Sequence, residues 1–139
     1  MIKENDFRKK ILLVDDDEIH LEITELALKD EYAVFMVKSG EEALEFLGKN
    51  HITPDLIMLD IQLPSMDGWV IFDKIQDITA LEYTPILFYT SLDEERARER
   101  AYELGAFDYI TKPCDQSILL RKIRETLNDV ELRRQHYSA

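Results

Sequence analysis

Apolar residues gather in short unbroken runs along this chain, and each run stops on a polar or acidic side chain. Leu56-Ile57-Met58-Leu59 is apolar at four successive positions, as in a strand covered on both faces; a half-exposed strand would alternate. It ends abruptly on Asp60, and Ile11 to Val14 ends in the same way on Asp15-Asp16-Asp17. Tyr32 to Val37, rich in aromatic and β-branched residues, predicts a further strand, as do Ile86 to Thr90 behind Pro85 and Phe107 to Ile110. Helical spacing fills the intervals. Ile19, Ile23, Leu26 and Ala27 predict helix one, with Asp17 placed to cap its positive end. Ser39-Gly40-Glu41-Glu42 has the form of a capping box, and Ala43, Leu44 and Leu47 give the helix behind it an apolar stripe that ends near Asn50. Pro64-Ser65 and Asp67-Gly68 bring turn chemistry, after which Trp69 opens helix three with Ile71, Ile75 and Ile78 on its inner face. Asp93 to Leu104 is heavily charged. Ala97, Ala101 and Leu104 are its only stripe and Gly105 its stop, so this helix is expected to be loosely held. Ile118 or Leu119, then Ile123, Leu127 and Val130, carry the last helix. Residues 1–9 read as a loose lead-in, and ELRRQHYSA at the end as an extension of helix five that either frays or begins a linker.

Five repeats of strand then helix call for an α/β protein: a parallel sheet, helices on both faces and right-handed crossovers. At 139 residues and 45% hydrophobic, the chain fits one domain with one core. A net charge of −12 disfavours nucleic acid, whose non-specific binding depends on lysine and arginine, and favours partners with basic or neutral faces. Cys114 is the only cysteine, so no internal disulfide can form. The N-terminus is too charged for a signal peptide, and no apolar run approaches the ~20 residues of a membrane span, so a cytoplasmic location is expected.

In an open parallel sheet, ligands sit outside the carboxyl ends of the strands. Here that edge collects Asp15, Asp16, Asp60, Thr90 and Lys112. Carboxylates ~4 Å apart repel by roughly 4 kcal/mol at an effective dielectric of ~20, against a total stability of only ~5–15 kcal/mol, so the cluster needs protonation or a cation. A hard divalent ion answers the need: Mg²⁺ takes one or two carboxylates, water and a phosphate oxygen, which makes the site one for phosphate chemistry. Lys112 brings a compact positive charge for a carboxylate or a phosphoryl oxygen, and Thr90 a hydroxyl donor. Asp60 can itself be the nucleophile, giving an acyl phosphate. Asp17 reads as a cap in preference to a ligand.

From Lys10 to Leu127, the segments LLVDDD, LIMLDIQLPSMDGW, FYTS and ITKP, in that order, resemble a two-component response regulator receiver domain. The resemblance implies a flavodoxin-like (βα)5 three-layer sandwich with strand order 2-1-3-4-5. The receiver domain would span residues 8–130, between tails at 1–7 and 131–139. It implies that Asp60 accepts a phosphoryl group from a phosphohistidine of a sensor histidine kinase or histidine phosphotransfer protein. Asp16, Asp60 and the backbone carbonyl of Gln62 would hold Mg²⁺, for which Mn²⁺ could substitute, and Asp15 would act through a metal-bound water. Thr90 would be the switch hydroxyl, Tyr109 the switch aromatic, and Lys112 the phosphate contact, with a cis peptide at Lys112-Pro113. The surface of helix four, strand five and helix five would meet a downstream partner, with homodimerisation on phosphorylation as one outcome. Such a protein is a phosphoacceptor that dephosphorylates itself slowly and is not a turnover enzyme. Gln62 and Leu92, each two residues past a key position, would tune that lifetime, and an apolar Leu92 points to slow hydrolysis.

Plainer readings stand beside these. A lone Asp after a strand is ordinarily a cap or turn former, Thr90 and Lys112 taken singly are ordinary loop residues, and Tyr109 is the kind of aromatic that a last strand buries. His20, His51 and His136 are scattered and read as surface residues; Cys114, in the loop beside Lys112, reads as passive more readily than as a low-pKa thiol. Glu94, Arg96, Arg98, Glu99 and Arg100 form a solvated face with i, i+4 pairs such as Glu94 with Arg98, or part of an interface. Two other functions compete. A haloacid-dehalogenase-like phosphatase also uses an aspartyl nucleophile with Mg²⁺, but its D-x-D-x-T pattern meets Asp60-Ile61-Gln62 here, without the second acid. A phosphorylation-independent interaction module would be favoured by missing acids or lysine, and none is missing.

Overall fold

The computed structural model describes residues 6–49 and 52–138; Asn50 and His51, and with them the expected end of helix two, lie outside the described residues, as do positions 1–5 of the lead-in. In chain order the elements are β1 (Lys10–Val14), α1 (Glu18–Leu28), β2 (Ala33–Val37), α2 (Gly40–Lys49), β3 (Leu56–Leu59), α3 (Gly68–Gln76), a 3-10 turn (Thr79–Leu81), β4 (Ile86–Thr90), α4 (Glu95–Leu104), β5 (Asp108–Thr111) and α5 (Gln116–Ser138). All strand pairs are parallel and the order is β2-β1-β3-β4-β5, the flavodoxin-like arrangement expected. No helix among the described residues is long and apolar enough to cross a membrane.

The unbroken apolar runs follow from this layering. Side chains alternate across a strand, so Leu12, Val14, Ile57, Leu59, Ile86, Phe88 and Tyr109 face one core with Ala43 of α2, Ile71, Phe72 and Ile75 of α3, and Ala97 and Ala101 of α4. Ile11, Leu13, Leu56, Met58, Leu87 and Ile110 face the other core, with Leu21 and Leu28 of α1 and Leu119 and Ile123 of α5. A strand with a core on each face has no polar position to spare. The edge strand β2 is only partly buried and shows the mixed pattern.

Local chemistry sets the helix starts. Asp17 caps α1, its Oδ1 accepting from the Ile19 and His20 amides at 2.9 and 3.2 Å. At α2 the Glu42 amide donates to Ser39 Oγ at 3.1 Å, while Glu42 Oε2 accepts from the Lys38 amide at 2.7 Å, a capping box that reaches back one residue further than expected. Asp67 caps α3 through the Val70 amide, and Gly105 closes α4 in the left-handed region at φ 103°.

Two helix faces differ from the expectation, and in a third, α5, the structure decides between Ile118 and Leu119 in favour of Leu119. In α1 the buried residues are Leu21, Thr24 and Leu28, whereas Ile19, Ile23 and Leu26 are 66%, 60% and 61% exposed. The helix carries two overlapping stripes, and Thr24 is admitted to the core because its hydroxyl donates to the His20 carbonyl at 2.8 Å. In α4, Leu104 is exposed and only the two alanines are inside. In α5, Leu119, Ile123 and Thr126 are buried while Ile118 is exposed; the helix runs on to Ser138, so residues 131–138 continue it. Helix α3 ends before Ile78, which packs on the core from the following turn.

Candidate functional site

The parallel ladder does not stop where the strands do. The Asp15 amide donates to the Val37 carbonyl at 3.2 Å, the Asp60 amide to Val14 at 3.0 Å and the Lys112 amide to Thr90 at 2.8 Å, so each residue's backbone is fixed one step past its strand. These bonds carry Asp15, Asp60 and Lys112 to one edge. Lys112 Nζ bonds Asp15 Oδ2 and lies 3.3 Å from Asp60 Oδ2. The three side chains are almost wholly buried, where an unpaired charge would be costly. Asp15 Oδ1 accepts from the Asp17 amide at 2.9 Å and Asp60 Oδ1 from the Gln62 amide at 3.1 Å. Asp16 is exposed, yet one carboxylate oxygen from each of Asp15, Asp16 and Asp60 lies within 4.8 Å of the others. Three carboxylates against one ammonium leave an excess of two negative charges, and the donors are all hard oxygens, a set that fits a divalent Mg²⁺-like ion.

The loop after Asp60 turns tightly over it. Gly68 and Leu63 amides both donate to the Ile61 carbonyl, and Ser65 takes a positive φ of 64°. At Gly68 a Cβ would sit 2.4 Å from the Asp60 carbonyl oxygen and 2.6 Å from the Ile61 Cα, both rigid backbone. Gly68→Ala is therefore expected to lower stability by about 1–3 kcal/mol, the usual range for overpacking, and to displace the Asp60 loop. Urea unfolding measures the first effect and divalent-ion affinity the second; a variant with wild-type stability would mean that the loop yields freely.

Thr90 is fully buried at the end of β4, and its Oγ1 accepts from the Leu92 amide at 3.3 Å. Tyr109 is 2% exposed, with its hydroxyl donating to the Leu92 carbonyl. Burial pushes its phenol above the ordinary value. The Lys112-Pro113 peptide is cis. Gln62 is exposed in the loop beside Asp60. Burial pushes the Cys114 thiol up, which fits the passive reading. His20 Nδ1 lies 3.7 Å from the Asp17 carboxylate, and His136 is exposed.

The sequence reading missed Arg98. Instead of pairing with Glu94 on a solvated face, its guanidinium donates to the Tyr109 carbonyl and to Thr111 Oγ1, both at 3.0 Å, and lies over the Tyr109 ring. Arg100 likewise stacks on Trp69, 4.3 Å from the ring centre. No local spacing signals either contact.

A doubly wound sheet with an acid-lined, lysine-bridged edge beyond its strand ends defines a class of α/β protein whose ligand edge has the donor set for a hard cation. The sequence model of the response regulator receiver domain matches residues 11–124. Regulatory protein VanR of Enterococcus faecium is 40% identical over 120 residues, 85% of this chain and 49% of that protein. Response regulator PleD of Caulobacter vibrioides is 34% identical over 116 residues, 83% of this chain and 25% of that protein. Among solved structures, a receiver domain protein from Methanospirillum hungatei superposes with TM-score 0.82 at 28% identity, covering 91% of this chain and 98% of that one. A two-component response regulator from Clostridium difficile gives 0.79 at 30%, with coverage of 87% and 97%. The chain belongs to the response regulator receiver domain family. It spans about half or less of the length of these two curated relatives.

Proposed function

We propose that the chain is a phosphorylation switch in two-component signalling, with Asp60 accepting a phosphoryl group from the phosphohistidine of a sensor histidine kinase or histidine phosphotransfer protein. The supporting observation is the buried Asp60 carboxylate, held by the Gln62 amide and Lys112 within a three-acid cluster. One oxygen of Asp60 forms the new bond to phosphorus as the phosphorus–nitrogen bond breaks. The electron pair stays on the donor imidazole, which takes a proton from solvent. Asp16, Asp60 and the Gln62 carbonyl would hold Mg²⁺, with Asp15 acting through water. The ion, when bound, offsets the charge gathered at the phosphoryl oxygens. Lys112 exchanges its carboxylate contact for a phosphoryl oxygen, and Thr90 turns its hydroxyl toward the same group.

The donor docks across α1. Ile19, Ile23 and Leu26 form an exposed apolar stripe there, beside a cavity of about 280 Å³ lined in part by Ile23, Tyr89, Pro113 and Cys114. Glu18, Glu22 and Glu25 share the helix, so the matching surface is an apolar ridge with a basic rim. A downstream partner, or a second copy after phosphorylation, meets the α4-β5-α5 face, where Tyr102, Leu104 and Ile118 are exposed.

Intact mass after incubation with acetyl phosphate tests this reading: the mass of one phosphoryl group is expected with Mg²⁺ and none with EDTA. Steady phosphate release without an adduct would revive the aspartyl phosphatase, and neither adduct nor release would favour an unmodified interaction module. Leu92 supports slow self-hydrolysis because its half-buried apolar side chain offers a water no hydrogen bond. Leu92→Asn is expected to shorten the acyl-phosphate lifetime several-fold; a wild-type lifetime of only a few seconds would sink the idea.

A further inference from the structure

Helix α4 has little apolar anchorage, since Ala97 and Ala101 are its buried residues. Two of its side chains reach across to β5: the Tyr102 hydroxyl donates to Asp108 Oδ1 at 2.8 Å at the start of the strand, and Arg98 makes the forked contact with its middle. Nη1 donates to the Tyr109 carbonyl at 3.0 Å, Nη2 donates to Thr111 Oγ1 at 3.0 Å, and Nη2 also lies 3.7 Å from the Asp93 carboxylate. The guanidinium carbon is 4.8 Å from the centre of the Tyr109 ring, which it covers from the α4 side. One residue therefore grips the loop before α4, the backbone of β5 and the face of the aromatic side chain between them.

That aromatic is joined to the acid edge by a short hydrogen-bonded path. Thr90 Oγ1 accepts the Leu92 amide, and the Leu92 carbonyl accepts the Tyr109 hydroxyl. A movement of Thr90 shifts the Leu92 peptide, and the shifted peptide changes the only polar partner that the Tyr109 hydroxyl has among the described contacts. The other end of the same tyrosine is under Arg98. The two ends oppose each other: the Leu92 carbonyl is movable, whereas the Arg98 fork is planar and makes two bonds at fixed angles.

We propose that Arg98 is the positioning residue of the switch, its guanidinium holding Tyr109 inward and α4 against the free edge of β5, so that its release is what allows the α4-β5-α5 face to change. The link to Asp60 rests on the phosphoacceptor reading; the holding of Tyr109 and α4 does not.

The test compares the full chain with Arg98→Ala, Arg98→Lys and Thr111→Val by hydrogen exchange, by emission of Trp69 and by the rate of phosphoryl uptake from acetyl phosphate with Mg²⁺. Trp69 is the only tryptophan, and its ring lies tilted against Phe88 with centres 5.0 Å apart; Phe88 in turn lies 6.1 Å from Tyr109, so the Trp69 emission reports on that cluster. In Arg98→Ala, without phosphodonor, the α4 amides are expected to exchange about tenfold faster while β1 and β3 keep wild-type protection, the loss of a charge-assisted fork being local. Trp69 emission shifts with it and phosphoryl uptake changes several-fold. Arg98→Lys, which keeps the charge but not the fork, and Thr111→Val, which removes one acceptor, fall between. Wild-type exchange and emission in Arg98→Ala overturn the proposal. So does faster exchange spread equally over β1 and β3, which makes Arg98 a general stability residue, and so does loosened α4 with unchanged uptake. A wild-type protein that takes up no phosphoryl group overturns the phosphoacceptor reading instead, and the exchange comparison then decides the role of Arg98 by itself.

Discussion

Asp60→Asn is expected to keep its fold and lose phosphoryl uptake altogether. The side chains are nearly the same size, and the asparagine oxygen still accepts the Gln62 amide that holds Asp60 Oδ1 at 3.1 Å. What disappears is the negative charge and the nucleophilic oxygen. Two electrostatic consequences oppose each other. Repulsion from Asp15 and Asp16, with oxygens within 4.8 Å, amounts to about 3 kcal/mol per pair at an effective dielectric of ~20, and the attraction to Lys112 Nζ at 3.3 Å is of similar size and opposite sign. Lys112 retains its bond to Asp15. The net change in stability is therefore expected to be small or favourable, within roughly 1–2 kcal/mol of the wild type. Intact mass with acetyl phosphate and Mg²⁺, read beside a thermal melt, separates the two effects. A phosphoryl adduct on Asp60→Asn would move the acceptor to another carboxylate, and a collapsed melt would make Asp60 structural.

Phe88→Ala is expected to cause the largest loss of stability. Phe88 is fully buried in β4, with ring centres at 5.0 Å to Trp69, 5.3 Å to Phe72 and 6.1 Å to Tyr109. It joins α3 to β5 through the sheet face that also carries α4. Truncation removes transfer free energy and leaves a cavity that rigid neighbours cannot fill, costing about 3–5 kcal/mol out of a typical ~5–15. Urea unfolding should show a lower midpoint with an unchanged slope. A loss under ~1 kcal/mol would show that the rings close over the gap. The loss should also reach the site, because Tyr109 then lacks its inner neighbour.

The strands could be read from the chain because burial on two faces leaves a signature that needs no knowledge of partners, whereas their order was implied only by the resemblance to receiver domains. Ile11 to Val14 and Leu56 to Leu59 are apolar throughout since each strand feeds both cores. The acid edge was legible for a related reason: every strand of a parallel sheet points the same way, so Asp15, Asp60, Thr90 and Lys112 meet without any pairing having to be known. What failed was choosing between faces. Helix α1 offers Ile19-Ile23-Leu26 and Leu21-Thr24-Leu28 as rival stripes, and the more apolar of the two lies outside. Thr24 is tolerated on the buried stripe because its hydroxyl is satisfied within the helix, by the His20 carbonyl. Arg98 was illegible because its partners lie 11 and 13 residues away, on another element, and a guanidinium that clamps β5 has the same local sequence pattern as one that points into water.

The same clamp bears on how the chain keeps to itself. In an open sheet the outermost strands expose backbone groups that can recruit a stray strand from another molecule. β5 is such a strand, and at its middle the Tyr109 carbonyl is taken by Arg98 and the Tyr109 amide by Asp108 Oδ1 at 2.8 Å. The donor and the acceptor that a foreign strand would need are already engaged from within. Release of Arg98 would thus free the acceptor but not the donor, since Asp108 still holds the Tyr109 amide, and the edge would keep half of its protection against a stray strand even with α4 detached.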